Sequence, residues 1–218
     1  MIDMTLCDTV LLDMDGTLLD LNFDNHFWLE FVPQKYAQKH HISVEQAKQQ
    51  LIPQFKAMEG KLEWYCLDYW SEVLQLDIAG LKAEIAQLIS VLPHVMDFLQ
   101  ALALSNRRVI LVTNAHRHSL SLKMEKTCLQ PFFNEIVCAH DFGLAKEQQG
   151  FWKILQQRYP FDKQRTLLID DSLTVLNSAR EFGIAHLLTI TKPDSKKPVR
   201  EVMDYPAIED FRELIAQL

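Results

Sequence analysis

Apolar residues run unbroken from Val10 to Leu12 and stop at Asp13. The stretch then reads VLLDMDGTL, with Asp15 two residues on and Gly16-Thr17 turning the chain away. A short continuous apolar run of this kind predicts a buried strand rather than a helix. From residue 22 the texture changes to helical spacing. Pieces over 27–32 and 34–39 are divided by Pro33, and SVEQ at 43–46 predicts a capping box opening a helix toward Met58. Pro53 predicts a kink in that helix, and Gly60 its end. Further helices are expected over 62–76 and 81–89, where Leu81, Ile85, Leu88 and Ile89 recur on one face.

Beyond Pro93 helices and strands alternate. The pattern predicts a helix from Pro93 to about 104, a strand over 107–113 (RRVILVT), a helix over 119–129 and a strand over 135–139. Next come a helix over 147–158, a strand over 165–170 (RTLLID), a helix over 173–182 closed by Gly183, and a strand over 186–191. A polar, proline-containing loop (191–205) and a final helix over 209–218 complete the chain. Such alternation predicts an α/β class with a Rossmann-like parallel sheet and helices on both faces. The helical stretch is too long for a loop. It is expected to form a separate helical cap, 22–91, inserted into a core made of 1–21 and 92–218.

Composition narrows the classes. In 218 residues, 48% are apolar and 23% charged, ordinary values for a soluble globular chain. The net charge of −7 disfavours a nucleic acid polymer as partner. No apolar run approaches a membrane span, and the N-terminus has no signal-peptide pattern, so a cytoplasmic protein without a membrane partner is expected. Cys7, Cys66, Cys128 and Cys138 are scattered with no CxxC and are read as free thiols. Nothing in the sequence sets the oligomeric state; a monomer is favoured.

The chemistry concentrates at strand ends. Asp13 and Asp15, two apart, project the same way from an extended backbone. Like charges at ~4 Å and an effective dielectric of ~20 repel by about 4 kcal/mol, so such a pair calls for a cation or a chemical role. Thr113-Asn114 ends one predicted strand, Asp170-Asp171-Ser172 another, and Lys146 opens the segment after the third. Carboxylates that outnumber one lysine imply a bound divalent cation, and an all-oxygen set suits Mg²⁺. That set is built for phosphoryl transfer. Asp13 is the nucleophile, and Asp15, its pKa raised by crowding, the acid and base. Thr113, Asn114 and Lys146 bind phosphate oxygens, and Gly16 allows close backbone approach.

Together DMDGT (13–17), TN (113–114), Lys146 and IDDS (169–172) resemble the haloacid dehalogenase (HAD) superfamily. The resemblance implies a HAD-like core, an aspartyl-phosphate on Asp13, and Mg²⁺ held by Asp13, the carbonyl of Asp15 and Asp171. Asp170 would orient a metal-bound water. Two departures stand out: Glu147 follows Lys146 where proline is common, and Val175 stands where a GDxxxD pattern would put a second acid. More narrowly, LLDMDGTLLDL (11–21), WYCLDYWSE (64–72), TNAHRHSL (113–120), RTLLIDDS (165–172) and KPDS (192–195) are similar to the GMP/IMP nucleotidases of the superfamily. That implies a small-molecule phosphate ester, a purine 5′-mononucleotide, as substrate. The alternatives are a sugar-phosphate phosphatase or phosphomutase, and a non-catalytic phospho-aspartate module.

Several residues carry a plainer expectation. The aromatic residues of WYCLDYW are expected to pack the cap's own interior ahead of stacking a base. Phe151 and Trp152 fit a core face. Asp24 and Asp68 read as solvated helix charges. His116 and His118 read as loop surface or substrate contacts rather than a second metal site, and Arg117 as surface.

Overall fold

The computed structural model describes residues 2–218. A sheet of six strands in the order β3-β2-β1-β4-β5-β6 forms its centre. The strands are β1 (Thr9–Leu12), β2 (Arg108–Thr113), β3 (Glu135–Cys138), β4 (Thr166–Ile169), β5 (His186–Ile190) and β6 (Ala207–Ile208). All neighbouring pairs are parallel. β1 lies between β2 and β4, with Leu12 opposite both Leu111 and Ile169. Strand order therefore reverses beside β1, and in open parallel sheets ligands bind at the carboxyl ends near such a reversal.

The two sheet faces divide the apolar residues by alternation. Val10, Leu12, Val109, Leu111, Leu167 and Ile169 bury on one face. Leu11, Ile110, Val112 and Leu168 bury on the other. A period of two is the strand's own geometry, and burial on both faces is why these strands read as continuous apolar runs. Val95, Phe98, Leu99 and Leu102 of one helix (Val95–Leu104) cover the first face. Phe151, Trp152 and Leu155 of a second (Gln149–Arg158) and Val175, Leu176 and Ala179 of a third (Leu173–Phe182) cover the other. Gly183 closes the third helix at φ +101°, the left-handed conformation that favours glycine.

Between Leu21 and Val91 the chain is helical. It leaves the sheet at Asp20 and returns beside itself: Asp20 N–H donates to Ser90 O at 2.9 Å, and Leu92 N–H to Leu18 O at 2.9 Å. Phe23, Phe27, Leu51, Phe55, Leu67, Trp70, Leu74, Ile78 and Leu81 make a third buried cluster. The structure differs from expectation around Pro33. Helix Asn22–His26 continues into Val32–His40 through a π-turn over Phe27–Phe31. Pro33 sits in the first turn after it, where a missing N–H costs little. The helix expected over 62–76 breaks at Cys66 into Leu62–Tyr65 and Leu67–Leu74. Ser43 and Gln46 do form the capping box of Val44–Met58, which runs on through Pro53.

Two features at the C-terminus were not expected. β6 pairs with β5 over two residues, too few to show a pattern. The final helix covers only Arg212–Ile215, and Phe211 and Leu214 anchor it in the core. All four cysteines are free thiols. Among the described residues no helix is long and apolar enough to cross a membrane.

Candidate active site

Asp13 follows β1 directly, and its N–H donates to Ile169 O at 3.0 Å, which fixes it beside the end of β4. Asp170 and Asp171 follow β4, and Thr113 ends β2. Lys146 reaches into this corner from beyond β3. Its Nζ donates to Asp13 Oδ1 at 2.5 Å, Asp170 Oδ2 at 2.7 Å and Val112 O at 3.1 Å. Burial opposes its charge, but the two carboxylates outweigh burial and hold its pKa above the usual lysine value.

Oxygens of Asp13, Asp170 and Asp171 lie within 4.8 Å of one another. Burial, set against Lys146 and reinforced by Asp170, pushes Asp13 up to about 6. Burial and the two neighbouring acids raise Asp171 well above the usual carboxylate range. Among the described residues no basic side chain forms a salt bridge with the Asp171 carboxylate; Arg200 donates instead to its main-chain oxygen at 2.5 Å. Two of the three acids thus share one ammonium, and Asp171 stands beside them. This crowded, hard, all-oxygen set fits a divalent cation such as Mg²⁺.

Asp15 has a different environment. Lys123 Nζ donates to Asp15 Oδ1 and to Asp24 Oδ2, each at 2.6 Å. Lys82 Nζ donates to the other Asp24 oxygen at 2.5 Å and to Ser119 Oγ at 3.2 Å. The expectation of one lysine among four acids is therefore corrected: Lys123 serves Asp15, and the unmatched charge rests on Asp13, Asp170 and Asp171. Burial, partly offset by Lys123 and reinforced by Asp24 and Asp13, moves Asp15 up to about 6. Asp24 is no solvated helix charge. Burial opposes its ionisation, yet Lys123 and Lys82 prevail and hold it far below the usual carboxylate range. Lys82 and Lys123 escaped the sequence reading. For Lys82 the one available signal was a lysine between Ile78 and Ile85 on an apolar helix face; Lys123, with Ser119 and Thr127 on its face, left none.

Gly16 has a specific reason to be glycine. Its φ is +84°, and a Cβ there would lie 2.6 Å from Asp171 Cγ. The missing side chain makes room for the Asp171 carboxylate itself. Thr17 helps seat that residue, its Oγ1 accepting from Asp171 N–H at 3.1 Å.

Asn114 braces the lysine segment. Its Oδ1 accepts from Lys146 N–H at 2.9 Å, and its Nδ2 donates to Glu147 Oε2 at 3.0 Å. Tyr65 of the helical insert donates to Glu147 Oε1 at 2.7 Å. Glu147, the departure noted after Lys146, thus joins the insert to the sheet side. Thr113 is buried, and its Oγ1 accepts from Ala115 N–H at 3.0 Å, which leaves the hydroxyl proton free to donate.

A cavity of about 300 Å³ opens over these strand ends, walled on the insert side by Trp28, Trp64, Tyr65 and Leu67. Trp70 is buried against Trp28, Phe55 and Trp64, as expected of interior packing. Trp28 and Trp64 lie stacked at 6.4 Å and also face the cavity. Phe151 and Trp152 are buried core residues. Arg117 is exposed and pairs with Asp141 at 2.5 Å. Asp68 is exposed, 3.5 Å from His116 Nε2.

Comparison with known proteins fits this arrangement. The chain is 41% identical over 211 residues to the Escherichia coli (strain K12) protein named GMP/IMP nucleotidase YrfG, covering 97% of this chain and 95% of that one. It is 31% identical over 106 residues to the putative HAD-hydrolase YfnB of Bacillus subtilis, 48% of this chain and 44% of that one. In fold it matches a crystal structure of a HAD phosphatase from Thermococcus onnurineus, with a TM-score of 0.78 at 21% identity over 95% of both chains. The model of the haloacid dehalogenase-like hydrolases matches residues 7–183, a span holding every strand-end residue described above. With that match over most of its length, the chain belongs to the haloacid dehalogenase-like hydrolase family.

Proposed function

We propose that the protein is a Mg²⁺-dependent phosphomonoester hydrolase working through an aspartyl-phosphate on Asp13, with a purine 5′-mononucleotide as substrate. The observation that carries this reading is the convergence of Asp13, Asp170 and Asp171, of which only Asp13 and Asp170 pair with Lys146. Asp13, Asp171 and the carbonyl of Asp15 would hold the cation, with Asp170 behind them. Bound there, Mg²⁺ supplies positive charge against which an anionic phosphate can approach a carboxylate.

The chain's own groups account for the rest. Lys146 and Thr113 donate to phosphate oxygens, and Asn114 holds the Lys146 main chain in place. Asp13 attacks phosphorus as the ester P–O bond breaks, and Asp15 gives its proton to the departing oxygen. Asp15, now ionised, takes a proton from water as that water attacks phosphorus. The P–O bond to Asp13 breaks and inorganic phosphate leaves. A carboxyl pushed up to about 6 by burial suits both halves of this exchange near neutral pH.

The purine substrate rests on the relative named GMP/IMP nucleotidase, 41% identical over nearly the whole chain. The cavity gives this choice physical sense, since the aromatic side chains of Trp28 and Trp64 line it together with the acids. We also assign residues 22–91 to a cap, with 1–21 and 92–218 as the core; the separate buried cluster of the insert supports this. The place of action we propose is the cytoplasm.

Phosphate release with Mg²⁺ across nucleoside monophosphates and sugar phosphates tests the proposal. Highest kcat/KM for GMP or IMP is expected. Preference for a hexose phosphate would replace the substrate and keep the mechanism. Absence of turnover on every ester would overturn the hydrolase itself.

A further inference from the structure

A second group of donor side chains lies beside the cavity, apart from the acids. Cys66 Sγ and one ring nitrogen each of His116 and His140 lie within 4.8 Å of one another. His116 and His140 meet edge to face, with ring centroids 5.0 Å apart. The three come from separate places: Cys66 from the break in the insert helix, His116 from the loop after β2, and His140 from the turn after β3.

His140 points to a ligand. Its Nε2 is buried and has no hydrogen-bond partner. A buried ring nitrogen without a partner can offer its lone pair to a metal ion. Burial and the neighbouring His116 bring the His140 pKa down to about 4, and burial lowers that of His116. The His140 ring is therefore neutral at pH 7 and able to coordinate; His116 Nδ1 accepts weakly from His118 N–H at 3.4 Å, which an ion would displace or leave beside Nε2. An unsatisfied polar atom in the interior is costly, and an ion would satisfy it.

We propose that Cys66, His116 and His140 form a site for a borderline-soft divalent cation of the Zn²⁺ class, separate from the all-oxygen Mg²⁺ site. One thiolate and two imidazoles suit Zn²⁺ and not Mg²⁺. In tetrahedral coordination the donor atoms stand about 3.5 Å apart, so modest side-chain rotations complete the set. Asp68, 3.5 Å from His116 Nε2, or a water supplies the fourth donor. Binding releases the Cys66 proton to solvent and requires no oxidant or reductant. Because Cys66 belongs to the insert and the histidines to the sheet side, an ion here ties the two together at the rim of the cavity.

Cobalt(II) added alone to the chelator-stripped full-length protein, with excess Mg²⁺ present, tests the site by absorbance. One equivalent is expected to bind with a thiolate-to-metal charge-transfer band and the intense d–d bands of tetrahedral Co²⁺, and Zn²⁺ should erase both. Cys66→Ser should remove the charge-transfer band, and His140→Gln should weaken binding at least about tenfold. Each variant's fold is checked by circular dichroism. No Co²⁺ binding, or a spectrum without a thiolate band in the wild-type protein, overturns the proposal before any variant is needed. A band that survives Cys66→Ser also overturns it. So does binding that is lost in His118→Ala but kept in His140→Gln, which would assign the ion to Asp68, His116 and His118, the other nearby group.

Discussion

Tyr65 donates its phenolic proton to Glu147 Oε1 at 2.7 Å, from the helical insert onto the residue that follows Lys146. Burial and the Glu147 charge push the Tyr65 pKa well above its ordinary value, so the phenol stays a donor. Asn114 holds the other Glu147 oxygen and the Lys146 N–H. The contact thus runs from the cavity wall to the main chain of Lys146. Tyr65→Phe is expected to lower stability by about 1.5–3 kcal/mol, the worth of a hydrogen bond to a charged group. It should also reduce kcat/KM about tenfold. Denaturant melts and steady-state kinetics measure the two effects, and unchanged kinetics would confine Tyr65 to a structural role.

Asp13→Asn should reduce turnover to background while the protein stays folded. The amide cannot attack phosphorus, and it removes one of three crowded acids and one of the two that pair with Lys146. Kinetics and a thermal melt decide it. Residual turnover within tenfold of wild type would take the nucleophile's role from Asp13.

Asp24→Asn strips the shared carboxylate from Lys82 and Lys123. Breaking a buried pair typically costs about 3–5 kcal/mol, because a charge is left without its partner. The same acid sets a pH dependence. Its folded pKa lies far below the unfolded value of 3.8, so its stabilisation is complete above about pH 4 and is lost as pH falls below that. Melting temperatures measured from pH 5 downward should fall more steeply for wild type than for Asp24→Asn. Parallel curves would mean that folding leaves the Asp24 pKa unshifted.

Gly16→Ala combines a left-handed φ of +84° with a Cβ placed 2.6 Å from Asp171 Cγ. The backbone term alone is worth about 1–2 kcal/mol. Displacement of the Asp171 carboxylate should weaken Mg²⁺ binding at least about tenfold, as read by calorimetry. Wild-type affinity would show that Asp171 is not a ligand.

Removal of divalent ions by EDTA should silence phosphate release, and Mg²⁺ should restore it. Asp13, Asp170 and Asp171 repel one another without a cation, so Mg²⁺ should also raise the melting temperature. Full activity in EDTA would refute the metal requirement.

The parts of the fold carried by local pattern were legible in the sequence. β1 and β4 are buried on both faces and read as unbroken apolar runs; Asp13 and Asp170 mark their ends. The box formed by Ser43 and Gln46 and the stop at Gly183 are likewise local. What escaped depends on distance along the chain. Lys123 meets Asp24 across 99 residues and Asp15 across 108, and neither partner leaves a mark near it. His140 meets His116 only through the pairing of β2 with β3, and Cys66 joins them from the insert. Pro33 suggested a break because the expected ladder was α-helical, and the π-turn before it absorbs the change.

The run Asp15–Lys123–Asp24–Lys82 also limits how the gene could be recombined. Two of its members, Asp24 and Lys82, lie in the insert, and two, Asp15 and Lys123, outside it. A chimaera spliced at 21 and 92 with a relative's insert would strand Lys123 beside one carboxylate unless the donor brought an acid to the place of Asp24. The donor would also have to bring its own partner for that acid. Insert and core in this protein are therefore expected to be inherited as a matched pair.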